Sequence, residues 1–361
     1  MTVVRVDPLH PDPEVIERAA RILRDGGLVA FPTETVYGLG ANALDPDAVA
    51  RIYAAKGRPA WNPVIAHVAS VDDARALTAA WSSRAQRLAD AFWPGPLTLV
   101  LPRSAIVPDI ATAGMDAVAV RIPSHPVALA LLRAAGHPVA APSANRFTQI
   151  SPTTAQHVVA SLGERVDLVL DGGPCAVGIE SSVCDLTGDV PTLLRPGMIT
   201  RAALEAALGS QVRAAQQRRG GDATSGDGTD ASDPVHADAV AVVAQRSPGM
   251  ADRHYAPRAE VWLFDAVQSD EIATALSRRR ADAEPAALGR VTALLLADHA
   301  LPLDASDRSV RMPDDPGAYA RQLYAQLHAA DAADSSLVVI ERPPTSDAWA
   351  AVVDRLTRAA R

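Results

Sequence analysis

Cysteine is almost absent from this 361-residue chain: Cys175 and Cys184 stand alone, outside any C-x-x-C pair or Cys/His cluster of zinc spacing. The pattern argues against a disulfide framework or a metal centre, and both residues read as ordinary part-buried thiols. No apolar run reaches the roughly 20 residues that cross a bilayer. Met1 to Pro13 carries Arg5, Asp7 and three prolines, without the basic start and apolar core of a secretory signal, so a cytoplasmic location and no membrane contact are expected. There is no G-x-x-x-x-G-K-[ST] phosphate loop, and no serine, cysteine or carboxylate has the spacing of a nucleophilic triad. Excess positive charge is missing too. The formal charge is −8, with 16 basic against 19 acidic residues in positions 1–200 and 18 against 23 in the rest. Strong direct nucleic-acid binding is therefore not expected, and an anionic ligand has to be met by a few placed cations. Lysine is the scarcest charge of all, because Lys56 is the only one.

What is present is a hydrophobic content of 48%, in a length that suits two domains and a connector. Up to about position 200, amphipathic helices alternate with short apolar strands, an α/β pattern. The first helix is capped by Asp12, begins with Pro13, carries the stripe Val15, Ile16, Ala19, Ile22, Leu23 and stops at Gly26-Gly27. Further strands are expected at Leu28–Phe31, Val64–Val68, Leu97–Leu101, Val118–Ile122, Val139–Ala141, Leu168–Leu170 and Ser182–Leu186. Helices are expected from Asp45-Pro46 to Ala55 and near His125–Ala135, Thr153–Leu162 and Ile199–Leu208. From Gln211 to Ala239 the chain turns to Gly, Ser, Asp, Gln and Arg and reads as a flexible connector. Ser247–Pro257 is compact and turn-rich. From Glu260 three βα units follow, which predict a small parallel sheet. The expected divisions are 1–208, 209–258 and 259–361.

Individual motifs admit two readings each. Gly38-Leu39-Gly40-Ala41-Asn42-Ala43 matches G-x-G-x-x-A, but the next helix cap lies later, at Asp45-Pro46, and no acidic residue stands where a dinucleotide site needs one. Lys56-Gly57-Arg58-Pro59 is either a solvated turn at a helix C-terminus or a phosphate site, with a compact ammonium beside a bidentate guanidinium. Arg121 and Arg195 each end a strand, where charges commonly meet water but where open α/β sheets also hold ligands. Pro142-Ser143-Ala144-Asn145 is a simple turn or a source of a hydroxyl and an amide at that rim. His67 sits inside an apolar strand, which favours a hydrogen-bonded structural histidine over a catalyst.

Taken in order, Phe31-Pro32-Thr33-Glu34-Thr35-Val36-Tyr37-Gly38-Leu39-Gly40, Lys56-Gly57-Arg58-Pro59 with Asn62-Pro63, Trp93-Pro94-Gly95-Pro96-Leu97-Thr98, Arg121-Ile122-Pro123, Pro142-Ser143-Ala144-Asn145 and Glu180-Ser181-Ser182-Val183 strongly resemble the YrdC-like family. Ser247-Pro248-Gly249-Met250 and His254-Tyr255-Ala256-Pro257 resemble the linker of its long, two-domain form. The resemblance implies a YrdC-like twisted open sheet with helices, then a smaller Rossmann-like parallel α/β domain. It implies an ATP-consuming synthase that joins L-threonine, bicarbonate and ATP, with Mg²⁺, into threonylcarbamoyl-AMP and pyrophosphate. A separate complex then transfers the threonylcarbamoyl group to tRNA. By the same resemblance Thr35, His67, Arg121, Ala141 and Ser181 hold threonine. Lys56, Arg58, Asn62, Ala117, Ser143, Asn145, Ser151, Arg195 and Tyr255 serve ATP, and Lys56, Arg58, Ser143 and Asn145 carry the catalytic load. Family members often have Thr where this chain has Ala117, so a contact there must use backbone. No residue is singled out as acceptor for the threonine ammonium proton. Two alternatives have their own signatures: a hydrogenase-maturation carbamoyltransferase, which needs cysteine-rich zinc motifs, and a non-catalytic RNA-binding module, which needs a basic surface.

Overall fold

The computed structural model describes residues 1–59, 61–215, 255–282 and 289–360. After β1 (Thr2–Arg5), the Asp12 carboxylate accepts from the Glu14 N–H and opens α1 (Pro13–Arg24), which buries Ile16, Ala19, Ala20 and Leu23. β2 (Val29–Phe31) and β3 (Gly38–Asn42) pair antiparallel. The Gly-x-Gly is therefore strand, not a dinucleotide turn. A Cβ on Gly40 would stand 2.9 Å from both the Phe31 ring and the Val139 side chain, so packing requires the glycine. α2 (Pro46–Lys56) starts on an Asp45 cap and ends on Lys56, one residue beyond the expected Ala55, where Gly57 adopts φ 62°.

The chain continues through β4 (Ile65–His67), α3 (Val71–Ala76), α4 (Ser83–Phe92), β5 (Leu97–Pro102), α5 (Asp109–Thr112) and β6 (Ala117–Arg121). Next come α6 (Pro126–Ala135), β7 (Val139–Ala140), α7 (Ala155–Leu162), β8 (Leu168–Asp171), β9 (Ser182–Asp185), β10 (Thr192–Arg195), α8 (Arg201–Leu208) and β11 (Arg213–Ala214). These strands form one mixed eleven-stranded sheet in the order β1-β8-β2-β3-β7-β4-β6-β5-β9-β10-β11.

Side-chain alternation then decides where a site can be. One face, with Leu39, Val64, Ala66, Val118, Val120 and Ala140, lies against α2 and α7, and its continuation Leu97, Leu99 and Leu193 lies against α4 and α8. The opposite face is covered by α1 and α6 only over Val29, Phe31, Val139, Ala141 and Leu168. Beyond them Ile65, Ala117, Ala119, Val100, Val183 and Leu194 share that second face, with no packed helix among the described residues. His67 and Arg121 are in step with Ile65 and Ala119, and so join them.

The C-terminal α/β unit runs β12 (Glu260–Phe264), α9 (Ser269–Asp282), β13 (Val291–Leu295), β14 (Arg308–Arg311), α10 (Pro316–Ala332), β15 (Leu337–Glu341) and α11 (Ala350–Ala359). Its four strands are all parallel, in the order β12-β15-β13-β14. β14 goes beyond the three expected strands: Arg-Ser-Val-Arg alternates half-buried and exposed residues at the sheet edge. The two units share a core in which Val36, Ile150, Ile179 and Tyr255 pack with Tyr319, Leu323, Tyr324 and Leu327. Contact is as close as backbone on backbone, since a Cβ on Gly178, at φ 86°, would lie 2.5 Å from the Arg321 Cα. Of the expected connector, Val212 is buried and Arg213–Ala214 pairs with β10, while residues 216–254, including Ser247 to His254, lie outside the described residues. Among the described residues no helix is long and apolar enough to cross a membrane.

Candidate functional site

The uncovered face holds a cavity built around Arg121, which is only 3% exposed. Its Nη2 lies 2.6 Å from Glu34 Oε1, Nη1 donates to Thr35 Oγ1 at 2.9 Å and Nε to the Gly95 carbonyl at 3.2 Å. Glu34 Oε2 in turn accepts from the Ser124 N–H at 3.1 Å. The guanidinium is thus desolvated, paired and fixed in direction, with two of its five N–H left without a partner among the described residues. Beside it, the His67 ring meets the Ile65 carbonyl through Nδ1 at 3.2 Å and the Phe31 ring edge-on at 6.4 Å. Burial, with the Arg121 charge adding to it, pulls its pKa down to about 3, so the imidazole is neutral. Thr35, His67, Arg121, Ala141 and Ser181 all line this one cavity.

On the next wall Lys56 is 2% exposed and its Nζ donates to the Ser143 and Asn145 carbonyls, each at 2.5 Å. The Phe147 N–H returns a bond to the Lys56 carbonyl at 2.8 Å, closing the turn onto the helix end. Burial pushes the ammonium well below its ordinary pKa, and the neighbouring Arg58 charge adds to that while Glu180 opposes it. The only lysine therefore stands behind the Ser143 turn rather than in the cavity. Its compact ammonium meets the two carbonyls as a point charge. Arg58 does reach the cavity. Its Nε and Nη2 bond the Asn62 carbonyl, Asn62 Oδ1 and the Pro63 carbonyl at 2.7–3.1 Å, leaving Nη1 unengaged among the described residues. Burial lowers it only to about 10, so it stays charged.

The third wall comes from β9 and β10. Arg195 donates through Nε to the Ser181 carbonyl and through Nη2 to Ser181 Oγ, both at 3.1 Å, and Ser181 Oγ also meets Thr98 Oγ1 at 2.8 Å. Next to Ser181, Glu180 lines the cavity and accepts from Ser151 Oγ at 2.5 Å, Arg355 Nε at 2.7 Å and the Tyr324 hydroxyl at 3.1 Å. Burial favours its neutral form, but Arg355, Arg195 and these hydrogen bonds outweigh it and hold the carboxyl at about 2. Tyr255, at φ 62° and buried, closes this side.

Of the residues expected at ATP, Arg58, Ser143, Arg195 and Tyr255 line the cavity. Lys56, Asn62, Asn145 and Ser151 sit one layer behind, bonded to residues that do or to their neighbours. Ala117 begins β6 on the same face as Arg121, with no polar side chain to offer. Arg121 and Arg195 each end a strand, as expected, and both line the cavity. The sequence reading left Glu180, Tyr324 and Arg355 without roles. The cavity's volume, about 50 Å³, is well below the roughly 300–1,000 Å³ of a small-molecule site.

Buried arginines, hydroxyls and a neutral imidazole gathered in one cavity of an α/β sheet have the chemistry of a site for small anionic substrates. The family described as "Telomere recombination" (Sua5, YciO, YrdC) matches residues 21–197, and "Threonylcarbamoyl-AMP synthase, C-terminal domain" matches residues 199–361. A Pyrococcus abyssi protein named threonylcarbamoyl-AMP synthase is 46% identical over 250 residues, 69% of this chain and 68% of its own length. Its namesake from Schizosaccharomyces pombe is 36% identical over 373 residues, covering 96% of this chain and 88% of that one. The crystal structure of P. abyssi Sua5 complexed with L-threonine superposes with a TM-score of 0.84 at 35% identity, over 100% of this chain and 98% of that one. The chain belongs to the two-part Sua5 family of threonylcarbamoyl-AMP synthases.

Proposed function

We infer that this chain is an L-threonylcarbamoyladenylate synthase, a nucleotidyltransferase that condenses L-threonine, bicarbonate and ATP into threonylcarbamoyl-AMP and pyrophosphate for tRNA threonylcarbamoyladenosine synthesis. The observation that carries this is Arg121, a buried cation with two N–H to spare, ringed by Thr35, His67, Ala141 and Ser181. It lies in a family whose P. abyssi member has been crystallised with L-threonine.

That arrangement supports a role for each site residue. Arg121 receives the amino-acid carboxylate, while Thr35, His67, Ser181 and the Ala141 backbone meet its amine and hydroxyl. Threonine nitrogen and bicarbonate give a carbamate with loss of water. A carbamate oxygen then bonds to the α-phosphorus as the bond to pyrophosphate breaks. Charge building on the phosphates is stabilised by the Nη1 of Arg58, by Arg195 and by Ser143, all fixed in advance. Lys56, Asn62, Asn145 and Ser151 act by holding those groups in place, Ala117 offers backbone, and Tyr255 covers the site. His67 is neutral at the working pH and is available to accept a hydrogen bond from the substrate amine.

Glu180 at the cavity and Glu34 behind Arg121 are both engaged by protein donors on each oxygen or by a buried cation, and no group of three or more metal-ligating residues occurs among the described residues. The residues do not build a Mg²⁺ cage, and the ion enters as part of the MgATP substrate. We assign residues 1–208 to catalysis, 209–258 to a linker carrying Tyr255, and 259–361 to control of access. The activated product passes to a separate complex that transfers the group to tRNA. The test is pyrophosphate release with detection of the threonylcarbamoyl-AMP mass. Release independent of threonine or of bicarbonate refutes the assignment.

A further inference from the structure

Two oxygens within hydrogen-bond distance need a proton between them, and each hydroxyl has only one to give. In the cavity that rule fixes which way two hydroxyls point. Thr33 Oγ1 lies 2.6 Å from the Val36 carbonyl, which can only accept, so the Thr33 proton is there. Thr33 Oγ1 also accepts from the Thr35 and Val36 N–H groups, at 3.1 and 3.2 Å. Its 2.8 Å contact with Thr35 Oγ1 must then use the Thr35 proton. Thr35 Oγ1 accepts from Arg121 Nη1 at 2.9 Å as well, and what it still holds for a substrate is a lone pair. Thr35 is an acceptor.

Ser181 has the opposite polarity. Thr98, on β5, is 0% exposed, and the one acceptor its hydroxyl meets among the described residues is Ser181 Oγ at 2.8 Å. Were Ser181 to donate to Thr98 instead, the Thr98 proton would be stranded in a dry site, where an unmade hydrogen bond is costly. Thr98 therefore donates. Arg195 Nη2 donates to Ser181 Oγ too, at 3.1 Å, because a guanidinium can do nothing else, whatever its further partners. Two incoming donors occupy both Ser181 lone pairs. The Ser181 proton, with no acceptor among the described residues, is left for the cavity that Ser181 lines.

We propose that Thr33 and Thr98 are positioning residues for threonine recognition: they hold Thr35 as an acceptor and Ser181 as a donor, so the cavity takes an N–H at Thr35 and an oxygen at Ser181. This rests on the synthase reading above. The Thr33 proton is committed to Val36 and Thr98 stands behind Ser181, so each acts through its neighbour. With the substrate carboxylate on Arg121, the amine falls to Thr35 and the side-chain hydroxyl oxygen to Ser181. A ligand with those two groups exchanged meets donor against donor and acceptor against acceptor, and is rejected.

Calorimetric binding of L-threonine to the full-length chain tests this in Thr98→Val, Thr98→Ser, Ser181→Ala and the double variant Thr98→Val/Ser181→Ala. Valine keeps the branched shape and strand preference of threonine and removes the hydroxyl. Thr98→Val should weaken threonine binding about three- to tenfold, the scale of one net hydrogen bond, and Thr98→Ser should restore it. With the Ser181 hydroxyl already gone, Thr98→Val should change the affinity by less than about twofold while raising the urea midpoint, since it removes a stranded hydroxyl. A Thr98 that serves packing alone would move the urea midpoint and leave the affinity untouched. An unchanged affinity in Thr98→Val, or a loss of the same size in both backgrounds, overturns the proposal. Should Thr98→Val not fold, Thr33→Val puts the same question to Thr35: its proton is released towards the substrate amine, and affinity should fall about three- to tenfold, while Thr33→Ser retains it. An unchanged affinity in Thr33→Val refutes the proposal. A wild-type chain that binds no threonine would instead sink the synthase reading, a separate result.

Discussion

Lys56→Ala is the sharpest perturbation available, because the residue both stabilises and positions. Its side chain is buried at the end of α2 and is the partner of two carbonyls, Ser143 and Asn145, at 2.5 Å each. Truncation strands both acceptors in a dry site, at roughly 1–3 kcal/mol apiece, so about 2–6 kcal/mol of stability is at stake. Water entering the new space reduces the loss, and about 2–4 kcal/mol is expected in urea unfolding. The Ser143 turn, released from α2, moves by an ångström or so, which is worth about 100-fold in turnover. Circular dichroism should show the fold intact at 25 °C with a lowered urea midpoint, and threonine-dependent pyrophosphate release should be nearly abolished. Lys56→Met fills the volume without the hydrogen bonds and should lose activity nearly as far. Full activity in Lys56→Ala, or an unchanged urea midpoint, would refute the account of Lys56.

Arg121→Met leaves Glu34 buried without its cation and should cost about 3–5 kcal/mol in urea unfolding; calorimetry should show threonine binding lost, whereas Glu34→Gln/Arg121→Met should regain stability without binding. Ser181→Ala removes a hydroxyl shared by Thr98 and Arg195 and should raise the KM for threonine about tenfold while costing about 1–3 kcal/mol in urea unfolding. Stability should fall as pH drops from about 6.5 towards 4. His67, His157 and His328 are buried neutral with pKa values of about 3, 4 and 3, so over that range the unfolded chain binds more protons. His67→Gln should flatten that slope in pH-dependent urea titrations, and an unaltered slope would contradict the burial of the imidazole. Glu180, held at about 2 against an ordinary 4.5, contributes stability that is full above 4.5 and lost as pH falls to 2, roughly 3 kcal/mol; Glu180→Gln should remove that component of acid unfolding.

Much of this was legible in the residues. Caps and stripes located α1 and α2 to within a residue, and the late helix cap correctly kept Gly38 and Gly40 out of a dinucleotide turn. The expected strand Val118–Ile122 put Arg121 near a strand end, but not on a face without a packed helix among the described residues, which depends on how the remote α1 and α6 pack. β14 was illegible because Arg308-Ser309-Val310-Arg311 has one apolar residue, as an edge strand allows. The Lys56 turn reads as a phosphate site or a solvated loop, and the buried ammonium behind Ser143 is neither of these alone. Glu180 and Arg355 are 175 positions apart, so no spacing rule connects them. The only local hint is that Asp354, Arg355 and Arg358 fall on the buried side of α11, where an amphipathic pattern would put apolar residues.

The solitary buried lysine also gives the molecule an unusual chemical signature. Apart from the α-amine, the whole chain offers amine-reactive reagents a single target, and in the folded protein that target is sealed at the end of α2. Acylation of that one side chain, told apart from the α-amine by peptide mass spectrometry against time, therefore clocks how often the wall behind Ser143 opens, with no probe attached.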